Sequence, residues 1–141
     1  MRVIKFRGQR TETKEWICGD LAYIYNRIPC IMPEWCMSSA PDDEEMKRNK
    51  EMLLGGFMEV IPETVGQFTG LHDKLGNEVY EGDLLSRNTG LTYQIYWNNN
   101  ESGFNMKNTS WADDDCPMNF YNVEGRFEVV GNIHDNPELV K

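Results

Sequence analysis

Long apolar runs, metal-binding knuckles and nucleotide-binding loops are all missing from this chain of 141 residues. No stretch approaches the roughly 20 consecutive apolar residues that cross a bilayer, and the opening Met1-Arg2-Val3-Ile4-Lys5-Phe6-Arg7 runs into polar residues, not into a signal-peptide core. The expectation is a cytoplasmic protein with no membrane partner. Cysteine is sparse: Cys18, Cys30, Cys36 and Cys116 include no Cys-x-x-Cys pair, and a chain of this size folds without disulfide staples, so reduced thiols are expected. The glycine-rich dinucleotide loop, the phosphate-binding loop, and the metalloprotease and calcium-loop spacings are absent.

Positive charge is also in short supply. Fourteen Lys and Arg face 23 Asp and Glu, a net charge of −9. Binding to a phosphate backbone relies on cationic side chains displacing counterions, so nucleic acid is a disfavoured partner. Lys5, Arg7, Arg10 and Lys14 do crowd together near the start, which leaves a local basic strip as an alternative.

What the chain does have is apolar residues at 40% and four tryptophans, Trp16, Trp35, Trp97 and Trp111. That is too rich for disorder and enough to fold without a partner. Ile4 to Arg7 alternates apolar and basic, a polar turn follows, and Glu15-Trp16-Ile17-Cys18 resumes, which predicts an opening hairpin. Gly19-Asp20 then reads as a break before a further strand, Leu21 to Tyr25. Residues 29–56 read as an insertion: a loop punctuated by Pro29, Pro33 and Pro41, then one helix from Met46 to Leu54 with Asp42 to Glu45 at its start and Gly55-Gly56 as its stop. Its exposed methionines make it an adaptable contact surface for a partner or a second subunit.

Strands are then predicted for Phe57–Ile61, on both sides of the turn Asp73 to Asn77, for Leu84–Arg87, Leu91–Trp97, Gly103–Lys107 and Arg126–Ile133, with Pro137 opening a last helical turn. Asn98 to Asn100 is a ready hairpin turn, and Asp113 to Asp115 reads as a solvated loop. Short strands between Gly, Asn and Asp fit a small curved barrel. The fold class is mainly β, with an N-terminal region at 1–65 packed with a C-terminal small barrel of the Src-homology-3 type at 66–141. The expected core is Phe6, Trp16, Phe68, Leu71, Tyr80, Leu84, Ile95, Trp97, Phe127, Val129 and Ile133.

Candidate chemistry is thin. A zinc site needs four clustered ligands, whereas Cys30 and Cys36 have five residues between them and His72 and Cys116 are distant in sequence. A nucleophile–base pair would use His72 beside Asp73 or His134 beside Asp135, yet neighbours on a turn point apart. Gly19-Asp20 and Gly82-Asp83 both precede a leucine and read as turn chemistry.

These segments carry a likeness: Lys5-Phe6-Arg7-Gly8, Trp16 and Gly19-Asp20-Leu21, then Pro62 through Leu71, Asp73-Lys74, Gly76 and Tyr80-Glu81-Gly82-Asp83, and last Phe127 through Ile133 with Asn136-Pro137-Glu138-Leu139. In them the chain resembles the YopX family of phage and prophage proteins across nearly its whole length, residues 29–56 apart. The resemblance implies a mostly β fold with a barrel-like C-terminal part, in a bacterial cytoplasm, and no transferable activity. No catalytic, cofactor-binding or metal residue is assigned. The expected function is a non-enzymatic protein-interaction or self-assembly module, with a homo-oligomer as one form. A nucleic-acid accessory factor and a hydrolase with a scattered site are the alternatives.

Overall fold

The computed structural model describes residues 1–34, 56–110, 115–117 and 123–140. The chain divides into two compact units, one of residues 4–66 and one of residues 67–141 with 1–3. Each has its own apolar core.

In the first unit β1 (Phe6–Gln9), β2 (Trp16–Ile24), β3 (Ile28–Pro33) and β4 (Met58–Glu59) form an antiparallel meander in the spatial order β4-β3-β2-β1. Phe6 lies opposite Gly19 and Leu21 opposite Ile31, so the period of two collects Phe6, Ile17, Leu21, Ile31 and Met58 on one face. There Ile17, Ile31 and Val60 are buried, with Phe6, Leu21, Met58 and Val65 packed around them. After β4 the chain returns to β1 through an Arg10–Val60 bridge, with the Ile61 amide donating to the Gln9 carbonyl at 2.8 Å.

Two expectations are corrected here. Pro29 and Pro33 do not punctuate a loop but lie inside β3, whose residues 29–33 are all buried. Proline suits the place because the carbonyl is what serves: the Val60 amide donates to the Pro29 oxygen at 3.0 Å. Residues 29–33 are therefore buried strand rather than part of an insertion, and the expected helix at 46–54 falls outside the described residues. Gly19-Asp20, second, does not break a strand. β2 runs through it, and Gly19 is required because a Cβ there would overlap the Met32 carbonyl of the neighbouring strand.

In the second unit β5 (Gly66–His72) and β6 (Glu78–Tyr80) form a hairpin about the predicted Asp73–Asn77 turn. Five strands follow: β7 (Asp83–Ser86), β8 (Thr92–Asn98), β9 (Gly103–Asn108), β10 (Asp115–Pro117) and β11 (Glu128–Asn132), in the order β10-β9-β8-β7-β11. β10 falls partly in what reads from sequence as an acidic loop. The registers set Leu85 against Tyr93, Ile95 against Met106 and Val129 against Leu85, so one face carries the core of Val79, Leu85, Tyr93, Ile95, Met106, Val123 and Phe127.

The expected closed barrel is not what these strands form. Among the described residues the five-stranded sheet is open, with β10 and β11 at its two ends. β11 carries a register shift between Val129 and Gly131 and stops at Asn132, and β10 is three residues long with a proline, so neither offers a ladder long enough to join the other. The closing Pro137–Leu139 turn is a 3-10 helix with proline at its start, as read from sequence.

The core list is partly right. Phe68, Tyr80, Leu84, Ile95 and Phe127 are buried, and Phe6, Trp16, Leu71, Val129 and Ile133 are half-buried. Trp97 is 39% exposed, because it sits beyond the last core residue of β8, where it meets Phe104 edge-on at 5.0 Å. Leu85→Ala is expected to cost about 2–5 kcal/mol in a denaturant titration. Trp97→Ala should cost less, chiefly the ring pair, about 0.5–1.5 kcal/mol beyond the area it covers. Gly19→Ala should cost about 1–3 kcal/mol by forcing β3 away from β2.

Candidate interaction surface

β1 accompanies β2 only from Trp16 to Gly19, and β4 accompanies β3 only at Cys30 and Ile31. Past Pro29, whose carbonyl still takes the Val60 amide, the end of the β2–β3 hairpin, with Ile24 opposite Ile28, is thus a two-stranded arm among the described pairings. A lone two-stranded ribbon is marginal in water. This one is apolar on both faces, since Tyr23 projects to one side and Ile24 and Ile28 to the other, and all three are exposed.

At its tip the Arg27 amide donates to the Ile24 carbonyl at 3.1 Å, and Tyr25 and Asn26 take φ of 51° and 56°. Positive φ at both central residues matches the right-handed twist of the strands, which is why such turns prefer Asn-Gly. Asn26 fits that preference; Tyr25 does not. An aromatic residue in the left-handed region costs about 1–3 kcal/mol, and here the ring is 89% exposed, so no core contact offsets the strain. The signal was present in the sequence as five successive apolar residues, Leu21 to Tyr25, without alternation.

On one side of the same unit, Arg10, Thr11, Glu12, Phe57, Met58 and Glu59 line a cleft of about 260 Å³. Its wall is fixed by the Thr11 amide donating to the Glu59 carbonyl at 3.2 Å. Phe57 and Met58 give it an apolar part, and Glu12 and Glu59 an acidic rim.

The residues singled out for chemistry are structural or apart. Asp73 is buried and its carboxylate is fully used: Oδ1 accepts from the Leu75 and Asn77 amides at 2.9 and 2.8 Å, and Oδ2 from Asn77 Nδ2 and the Val129 amide, both at 3.0 Å. Burial raises its pKa, but the bonds from Val129 and Asn77 and then Leu75 outweigh it and hold the carboxyl below its usual range. His72 turns outward, edge-on to Phe68 at 5.7 Å. The His134 and Asp135 amides both donate to Asn132 Oδ1, at 3.0 and 2.9 Å, a turn closed by Asn132.

Burial pushes the Cys30 thiol up, with Glu59 adding to the effect, so it is a poor nucleophile at neutral pH. Cys18 is half-buried; Cys36, the side chain of Cys116, and Asp113 and Asp114 fall outside the described residues. No group of three or more His, Cys, Asp or Glu that could hold a metal ion occurs among the described residues. Of the basic strip, Lys5 pairs with Glu34 at 2.8 Å, Arg7 stacks over Trp16 at 4.8 Å, and Arg10 lies 3.8 and 3.9 Å from Glu12 and Glu15. Lys14 takes φ of 61° in the β1–β2 turn. The two Gly-Asp pairs differ in role, for Gly82 takes φ of 86° and Asp83 is buried, accepting from the Tyr80 amide at 2.8 Å.

Antiparallel sheets of short strands joined by tight turns define a class of small, mainly β proteins. The family model described as YopX protein matches residues 5–141, and the chain belongs to that family. The crystal structure of protein EF1440 from Enterococcus faecalis is similar to it, at 21% identity and a TM-score of 0.54 over 100% of both chains, a likeness of fold. No curated protein matches the chain.

Asp73→Ala removes four accepted bonds and strands amides of Asn77 and Val129 in a buried place, which should cost about 1–3 kcal/mol at pH 7. Because the folded pKa is depressed, the native protein holds the carboxylate's contribution above the unfolded value near 4 and loses it as pH falls through the folded value. The stability gap between native and variant should therefore be constant at neutral pH and shrink in acid, as read from urea titrations across pH.

Proposed function

We propose that this protein is a cytoplasmic phage or prophage accessory factor that acts as a non-enzymatic protein-interaction module, with the β2–β3 arm as its contact element. The observation that carries this reading is Tyr25: exposed on an arm apolar on both faces, and held at a positive φ that costs stability. Exposed apolar surface and local strain together are retained where they serve contact with another molecule. Aromatic residues presented on a rigid turn are suited to anchor a protein interface, because they bring much area with few torsions to freeze.

Other readings draw less support. A nucleic-acid role would need several free cationic side chains on one face, and Lys5, Arg7 and Arg10 all have acidic or aromatic neighbours. A hydrolase would need His72 or His134 aimed at a nucleophile or carboxylate, whereas Asp73 is spent on backbone amides.

Tyr25→Asn removes the ring while keeping a residue that tolerates the left-handed region. The melting temperature should stay level or rise. A photo-reactive amino acid placed at position 25, in cells where the phage genes are expressed, should give a polypeptide adduct by mass spectrometry. The same group at Leu75, an exposed loop position of the other unit, should not. Absence of any adduct above that control would remove the arm as a contact element.

A further inference from the structure

We propose that the chain pairs with itself along an open strand edge: β2 of one copy lies antiparallel to β2 of a second copy, centred on Ala22. This rests on the reading of the β2–β3 end as an interaction element and adds its partner.

The first argument is the backbone. The Pro29 carbonyl takes the Val60 amide and so faces away from β2. Tyr23, opposite Pro29, therefore turns its own N–H and C=O away from β3, and Leu21, two residues earlier, does the same. β1 covers that edge only as far as Gly19, opposite Phe6. Residues 1–5 join no ladder, and among the described residues no strand pairs with Leu21 or Tyr23 on that side. With Ala22 on a two-fold axis, Leu21 of each copy meets Tyr23 of the other, and four hydrogen bonds form, two donated by each copy. Centring on Leu21 sets Tyr23 against Gly19, which Phe6 already holds. Centring on Tyr23 sets Leu21 against Tyr25, whose φ of 51° takes it out of the extended region. Either shift leaves half the bonds.

The second argument is charge. Arg27 is the single charged residue between Leu21 and Pro33, and Asp20 stands just before them. Both are exposed, and neither has an ion pair among the described residues. In this register Asp20 lies opposite Ile24 of the second copy, whose carbonyl takes the Arg27 amide at 3.1 Å. The carboxylate thus faces a guanidinium one strand further on, about 10 Å between backbones, within reach of the two side chains. The axis makes this pair twice, whereas a parallel alignment sets Arg27 beside Arg27. The side chains agree with the register. Leu21 and Tyr23 of one copy stand beside Tyr23 and Leu21 of the other on one face, and the small Ala22 meets its own copy at the axis, where the strands approach closest. Tyr23 and Ile24, 54% and 43% exposed in the single chain, both gain cross-strand neighbours.

The test uses the purified full chain. Sedimentation velocity over a concentration series should show a reversible dimer. Tyr23→Pro deletes an amide that the single chain does not use in its own ladder. Its circular dichroism melt should therefore stay close to the native one while association falls by at least about tenfold. Asp20→Arg and Arg27→Asp should each weaken association by about fivefold or more, because both symmetric pairs become repulsive. An equimolar mixture of these two variants should restore it, since in the mixed dimer each arginine faces an aspartate; this mixture carries the test if Tyr23→Pro unfolds. A chain that stays monomeric at about 100 μM overturns the proposal, as does a folded Tyr23→Pro that dimerises like the native chain or a mixture that associates no more tightly than its components. If position 25 in cells cross-links only to a different polypeptide, self-pairing fails while the interaction reading stands. If it cross-links to nothing, both fall.

Discussion

The carboxylate of Asp73 is the clamp on which the second unit depends. It accepts two amides and an amide side chain from the turn that joins β5 to β6, and its fourth bond comes from Val129, 56 residues further along the chain. A buried carboxylate is tolerated only when its charge is met on all sides, and the geometry that meets it is at once the turn, the start of β11 and their mutual position. The Lys74 amide, donating to the Phe127 carbonyl at 2.8 Å, continues the same seam, and Lys74 Nζ reaches Glu128 at 3.3 Å. From this seam β11 runs along β7, and Phe127 turns its ring onto Tyr93 at 5.5 Å in the core.

The same economy recurs at Asp83, which is buried against the Tyr80 amide, and at Asn132 and Asn136, which tie the end of β11 to the last turn. Acidic and amide side chains here substitute for regular ladders where the strands are too short to hold themselves. The carboxylate of Asp73, which from its place beside His72 looks available for acid–base work, is committed to backbone amides that hold its pKa below the usual range.

The arm obeys the opposite rule. Residues 29–33 of β3 are buried on both faces, whereas at residues 23–28 apolar groups appear on both faces and are exposed. Strain at Tyr25 and exposure of the same ring both work against the isolated chain, and contact with another molecule is the one physical condition that relieves the second. The acidic character of the rest of the protein gives the lone Arg27 its meaning, since a cation on an anionic molecule marks one direction of approach.

Composition and spacing alone determined that this is a mainly β protein, where most of the strands lie, and that Asp73 to Asn77 is a turn. These are local matters, set by alternation, by turn residues and by glycine and proline preferences within a few positions. Tertiary structure alone decided that Pro29 to Pro33 is a buried strand, because its burial comes from β2 on one side and β4 on the other, across gaps in sequence that periodicity does not see. It decided that Trp97 lies past the edge of the core, that Gly19 answers to the Met32 carbonyl and not to a turn, and that the five-stranded sheet stays open. It also decided which of the apolar residues would find no core, and Tyr25, in a backbone conformation that its own side chain disfavours, is exposed because no neighbouring strand reaches it.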